Sequence, residues 1–243
     1  EKGQQYHICV EKGQIGKYVL LPGDPGRTDL IARFLDNPKL VAYNREHKTW
    51  TGYLDGEMVS VTSTGMGGPS AAICLEELIH AGAETFIRVG TCGRICEESY
   101  NKKYEGVVIT GAIRHEGTTV QYIPIEYPAM ADRHVTEALV QSAEEQGFCF
   151  AEGVAQCKDS FYGQHDPDSM PNGFMLKSYW EAWEKAGVMA SEMESATVFI
   201  VSAIRGKRAG ALMAYEHMNE NTIKTAIGAI KKLIKLDRMQ SEK

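Results

Sequence analysis

Short apolar runs alternate with helix-patterned stretches along almost the whole chain, and that alternation limits the fold more than any other feature. Tyr18-Val-Leu-Leu-Pro22 reads as a buried strand that ends in the turn Gly23-Asp-Pro-Gly26. Met58–Thr62, Thr85–Gly90 and Gly106–Ile113 read as further strands, β-branched and bounded by polar residues or glycine. Helical apolar spacing runs from Ser70 to Ala81, and Pro69 suits the first turn of that helix. The second half continues in the same way: a helix over Asp132–Gln146 with Asp132 as N-cap, a strand over Phe148–Gln156, and a Trp-rich helix from about Ser178 to Ala186. A helix over Glu194–Arg205, a strand over Ala209–Ala214 and an amphipathic helix over Thr222–Leu236 complete the pattern. The polar stretch Arg94–Tyr104 reads as a surface loop. Such alternation, without an internal repeat or a linker, predicts one α/β domain over residues 1–243, a central mixed β-sheet flanked by helices.

Composition narrows the possible functions. A chain of 243 residues can bury one substantial core, and 43% hydrophobic with 24% charged residues is globular composition. The net charge of −6, with both signs interspersed, excludes a nucleic-acid platform, although a few arginines focused in a cleft can still hold one small anion. The six cysteines (Cys9, Cys74, Cys92, Cys96, Cys149, Cys157) follow no disulfide framework, and no second pair or nearby His completes a zinc set with Cys92 and Cys96. Without a signal peptide or a bilayer-length apolar run, a reducing cytoplasm is the expected compartment, with no membrane partner.

Four segments carry chemistry. Gly23-Asp-Pro-Gly-Arg27 follows a strand, so backbone N–H groups can approach an anion closely and Arg27 adds a fork of donors; an ordinary turn with a solvated Arg is the plain alternative. In Arg88-Val-Gly-Thr-Cys-Gly93, Arg88 sits inside an apolar strand, where an unpaired guanidinium is very costly. It needs a carboxylate or a bound anion, and the donors at the same strand end, Thr91 and the glycines, favour the anion over a purely structural ion pair. Ser191-Glu-Met-Glu194 brings two carboxylates to the start of an apolar helix, suited to accepting from a vicinal diol; Ser191 and Glu194 also have the spacing of a capping box. Lys158-Asp-Ser-Phe-Tyr-Gly-Gln164 offers an aromatic face and an amide edge for a planar base, or simply a packed loop.

Together these segments resemble the nucleoside phosphorylase family that includes uridine phosphorylases and hexameric purine nucleoside phosphorylases. The resemblance spans about Tyr6 to Ala214 and rests on Gly23-Asp-Pro-Gly-Arg27, Asn44-Arg-Glu46, Thr62-Ser-Thr-Gly-Met-Gly-Gly-Pro-Ser70, Arg88-Val-Gly-Thr91 and Glu192-Met-Glu194, in that order. Phe161-Tyr-Gly-Gln164, Glu126-Tyr-Pro-Ala129 and His7 resemble the uridine phosphorylase branch. The resemblance implies a phosphate site of Gly23, Arg27, Arg88 and Thr91, with Arg45 supplied by a neighbouring subunit. It implies ribose contacts from Thr91, Met193, Glu194, the flanking Glu192 and the neighbour's His7, and base contacts from Phe161 and Gln164. It also implies a homo-oligomer with shared sites and a dimer as the smallest active unit, inorganic phosphate as co-substrate and no organic cofactor. A structural cation at the dimer interface, held by Glu46 and Ser70, is a further implication; Glu46 paired with a base is the alternative.

The expected reaction is phosphorolysis of uridine to uracil and ribose 1-phosphate, part of pyrimidine salvage. A purine nucleoside phosphorylase on the same scaffold and a non-catalytic nucleoside-binding protein are the alternatives; a methylthioadenosine-type hydrolase needs no arginine cradle. Two features depart from the family pattern. Gln164 is followed by His165-Asp-Pro-Asp-Ser-Met170 without the usual Arg, and the segment before the last helix is short.

Overall fold

The computed structural model describes residues 3–241. Its strands are β1 (Tyr18–Leu21), β2 (Asp36–Asn44), β3 (His47–Leu54), β4 (Glu57–Thr62), β5 (Thr85–Arg94), β6 (Gly106–His115), β7 (Ala129–Met130), β8 (Phe150–Lys158), β9 (Ala190–Glu192) and β10 (Arg208–Tyr215). The helices are α1 (Pro25–Ala32), α2 (Gly68–Ala81), α3 (Arg133–Gln146), α4 (Phe161–His165), α5 (Gly173–Lys185), α6 (Ser195–Ile204) and α7 (Glu220–Ser241). All strands join one mixed sheet, with helices on both faces, as the strand and helix alternation predicts.

The sheet has an open wing and a closed part. Strands β1, β4, β3 and β2 fan out from β5, with β2 at the edge. On the other side β5 pairs in parallel with β10, and the path β10, β6, β8, β9 returns to β5, which closes a circuit of strands. Strand β5 is therefore the hub. Its alternate residues enter different cores: Phe86 packs with α2 and α6, whereas Ile87 and Val89 pack with α3 and α7. Arg88 falls on the Phe86 side of this alternation, which places a guanidinium under the start of α6.

Local sequence accounts for the element ends. The Asp132 carboxylate accepts from the N–H groups of His134 and Val135 at the start of α3, as its position predicts, and Gly147 closes that helix at φ 74°. Asp24 caps α1 by accepting from Gly26 N–H, and Pro69 lies in the first turn of α2.

One hairpin was not expected from the sequence, and one expectation is corrected. The β2–β3 hairpin does not stand out in the sequence because β2 is an exposed edge strand carrying Pro38, which only an edge tolerates. Arg94–Tyr104 is more than a surface loop. Strand β5 continues to Arg94 because β9 and β10 pair with its extension, Glu97–Tyr100 forms a 3-10 turn, and Ile95, Cys96 and Ser99 are buried.

Candidate active site

Strands β1, β5 and β9 and the turn after β4 all end around one cavity of about 680 Å³. Ligand sites at the carboxyl ends of parallel strands are the general rule in open α/β sheets. Thr64 N–H donates to Pro22 O at 2.9 Å and Gly65 N–H to Gly23 O at 3.0 Å, which ties the two glycine turns together at the cavity wall. Gly65 has φ 70°, and a Cβ there would lie 2.5 Å from Glu46 Cγ and 2.7 Å from Ser70 Oγ. No side chain fits at that position.

The floor is a buried charge cluster. Arg88 donates from Nε to Glu192 at 3.2 Å and from Nη2 to Glu194 at 2.6 Å. Burial opposes the charge on Arg88, but Glu194 and Glu192 outweigh it and hold the guanidinium protonated. The remaining terminal nitrogen, Nη1, is buried and has no hydrogen-bond partner among the described residues. It faces Gly23, where an added Cβ would come within 3.9 Å of it. The choice posed by the sequence between ion pair and anion site thus has a double answer: Arg88 is paired, and one donor is left over.

The two acidic residues have different duties. Glu192 accepts from the N–H groups of Glu194 and Ser195, so it caps α6 as well as holding Arg88. Those bonds and Arg88 occupy its carboxylate, which makes it a support for α6 and for the guanidinium. The capping box that was the alternative reading of Ser191 is not formed; Ser191 accepts from Lys158 Nζ at 2.7 Å and lies 2.6 Å from Gln164 Oε1. Glu194 accepts from Gly67 N–H, from Met193 N–H and from Arg88, so it spans the β4–α2 turn and the cationic floor. Burial raises its carboxyl above the usual range, Arg88 pulls it back, and Glu192 pushes it up again.

Around this floor the cavity gathers Gly23, Arg27, Thr91, Met193, Phe161 and Gln164, all expected site residues. Arg27 is half-buried at the rim and forms no ion pair among the described residues. Phe161 remains half-exposed beside His165, with ring centroids 4.1 Å apart. Two expected residues lie elsewhere. Arg45 is exposed on the β2–β3 turn at φ 53°, and His7 Nδ1 lies 2.6 Å from Glu77; neither lines the cavity. The turn that carries Arg45 is tied to the segment of His7, because Asn44 Nδ2 donates to His7 O at 2.7 Å.

Ser70 Oγ lies 2.8 Å from Glu46 Oε1 and 2.5 Å from Thr64 O, an oxygen-only cluster of the kind hard cations prefer. His47 Nε2 is 3.8 Å from the same Glu46 oxygen. Lys158 has no role among the residues expected from the sequence. Its side chain is buried, at 5% exposed, and it lines both the main cavity and an adjoining one of about 440 Å³ walled by α5. A lysine within an apolar strand end was the available signal.

The fold thus sets two glycine turns, a buried guanidinium with a spare nitrogen and two buried carboxylates around one cavity. The chain belongs to the phosphorylase superfamily, whose family model matches residues 17–235. It is 46% identical to the uridine phosphorylase of Treponema pallidum (strain Nichols) over 96% of this chain and 95% of the relative. It is 43% identical to the uridine phosphorylase of Thermococcus kodakarensis over 88% of this chain and 77% of that one. It is also 40% identical to a guanosine phosphorylase of Halorubrum lacusprofundi, over 86% and 81% of the two chains. Among the described residues no helix is long and apolar enough to cross a membrane, and no group of three His, Cys, Asp or Glu side chains is arranged to hold a metal.

Proposed function

We propose that this chain is a uridine phosphorylase, a pentosyltransferase that uses inorganic phosphate to convert uridine to uracil and ribose 1-phosphate. The observation that carries the reading is the spare Nη1 of Arg88, buried beside Gly23 with Arg27 at the rim. A buried donor left without a partner costs stability unless a ligand uses it. Phosphate held there attacks C1′ as the bond to the base stretches, and arginine donors fix its approach. Glu194 and the phosphate stabilise the positive charge that grows on the ribose. Thr91 and Met193 flank the ribose position, and Phe161 and Gln164 take the base. No organic cofactor is needed.

Arg45, exposed, and His7, half-buried, lie outside their own cavity on segments joined by the Asn44–His7 hydrogen bond, which supports a shared site. In this reading they complete the cavity of a second copy, and a homodimer is the smallest active unit. Glu46 and Ser70 would hold the structural cation at that interface. The enzyme acts as a single domain in the cytoplasm; the extreme ends of the 1–243 span fall outside the described residues.

A purine nucleoside is the second reading, and one observation favours it: the adjoining cavity of about 440 Å³, lined by Trp180 and Trp183, leaves room beyond Gln164 for a larger base. The test is release of free base from uridine and from inosine, each with and without phosphate. Phosphate-dependent uracil release upholds the proposal. Cleavage of inosine alone moves the enzyme to purines, and cleavage without phosphate makes it a hydrolase.

A further inference from the structure

Lys158 is a buried cation that the fold does not account for. It ends β8 with its side chain 5% exposed, and among the described residues no carboxylate lies within ion-pair distance of its ammonium. Its hydrogen bond goes to Ser191 Oγ at 2.7 Å, which uses one of three N–H donors. Burial pulls Lys158 below the usual lysine range, while Glu192 and, farther down, Glu194 help to hold its charge. A lysine in that position is costly unless something else uses the charge.

The surroundings indicate what that is. Lys158 and Gln164 are both in the walls of the main cavity and of the adjoining one, so they stand where the two spaces meet. Ser191 Oγ lies 2.5 Å from Gln156 Oε1 and 2.6 Å from Gln164 Oε1, but a hydroxyl has one proton to give. Because Lys158 occupies a lone pair of Ser191, that proton is directed to the amides. With its carbonyl on Ser191, Gln164 keeps an NH₂ that makes no hydrogen bond among the described residues, in the same cavity walls as Lys158. No arginine occurs between Arg133 and Arg205, and Lys177, the other lysine of this wall, pairs with Asp168.

We infer that Lys158 is a catalytic residue that binds the departing base through its ammonium and stabilises the negative charge the base acquires. This rests on the phosphorolysis proposed above. A phosphate oxygen forms the new bond to C1′, the C1′–N1 bond breaks, and its electron pair passes into the uracil ring and its carbonyl oxygens. The proton carried by monohydrogen phosphate ends on the base, and Lys158 finishes as the ammonium it began as. Its bond to the base strengthens as charge develops, so it acts on the transition state more than on bound nucleoside.

The experiment compares uridine with 5-fluorouridine, whose base is the stronger N–H acid and leaves more readily, in the unmodified chain and in Lys158→Met and Lys158→Arg. Lys158→Met is expected to lose on the order of 10²–10³ in kcat on uridine. Its loss on 5-fluorouridine should be at least about tenfold smaller, and Lys158→Arg should recover much of the uridine rate. Equal losses on both substrates, or no loss, would overturn the assignment, since a merely structural lysine does not sense the leaving group. If Lys158→Met does not fold, Lys158→Arg and Lys158→Gln carry the same ratio. Failure of the unmodified chain to cleave uridine with phosphate would instead overturn the reading on which this rests.

Discussion

Arg88 donates to Glu194 across 2.6 Å with both side chains about 5% exposed, and the same guanidinium keeps a buried nitrogen free. The two carboxylates fix the guanidinium plane, which leaves Nη1 beside Gly23 at the cavity wall.

Arg88→Ala should therefore fail in two ways. Phosphorolysis should fall by at least about 10²–10³. Folding stability should fall by roughly 3–5 kcal/mol, because Glu192 and Glu194 lose their buried counter-charge. Initial rates at saturating phosphate and urea unfolding measure the two effects; near-normal phosphate dependence would remove Arg88 from the cradle.

Arg45→Ala and Glu194→Gln should each be inactive alone. Subunits of the two, unfolded together and refolded, should regain activity, because a mixed dimer contains one cavity with both native residues. Mixtures as inactive as the separate variants would show that Arg45 does not serve a partner's site.

Gln164→Ala should raise KM for uridine by about tenfold, the value of one neutral hydrogen bond, with a smaller effect on kcat. It should also narrow the preference between uridine and inosine. A loss in kcat alone would separate Gln164 from base binding.

Glu77 ties the N-terminal segment to α2 by accepting from the N–H groups of His7 and Ile8, and its carboxylate lies against the His7 ring. Burial works against the carboxylate, but the Ile8 N–H and the His7 side chain and N–H hold it below the usual carboxylate range. A carboxyl depressed on folding stabilises the folded state above its unfolded pKa, and that contribution fades as pH falls through the lower folded value. Hydrogen exchange of residues 5–10 should thus accelerate below about pH 4.5, and Glu77→Gln should show the fast rate at neutral pH. Acid-independent protection would sink this reading.

If a cation sits on Glu46 and Ser70, metal analysis should find it and its removal should lower the melting temperature. Ser70→Ala should reproduce that lowering without chelation. A chain with no bound metal and unchanged melting would leave the pair as the hydrogen bond of 2.8 Å seen here.

The two kinds of information divide along physical lines. Strands β1, β4, β5, β6, β8 and β10 and helices α2, α3, α6 and α7 were legible in the chain because periodicity and caps are local, as with Asp132 and Gly147. Arg88 was legible as a charge that a core cannot absorb without a partner, and Glu192 and Glu194 are partners it meets. The edge strand β2 was not, since exposed residues follow no core-imposed alternation. Nor was the division of labour at the site. Ser191 and Glu192 are neighbours in sequence, yet one orders the amide of Gln164 and the other caps α6 and grips Arg88. Which of several polar neighbours meets which partner depends on where β5, β8 and β9 are joined in the sheet. That is a contact between residues distant in sequence, and only the tertiary structure decided it.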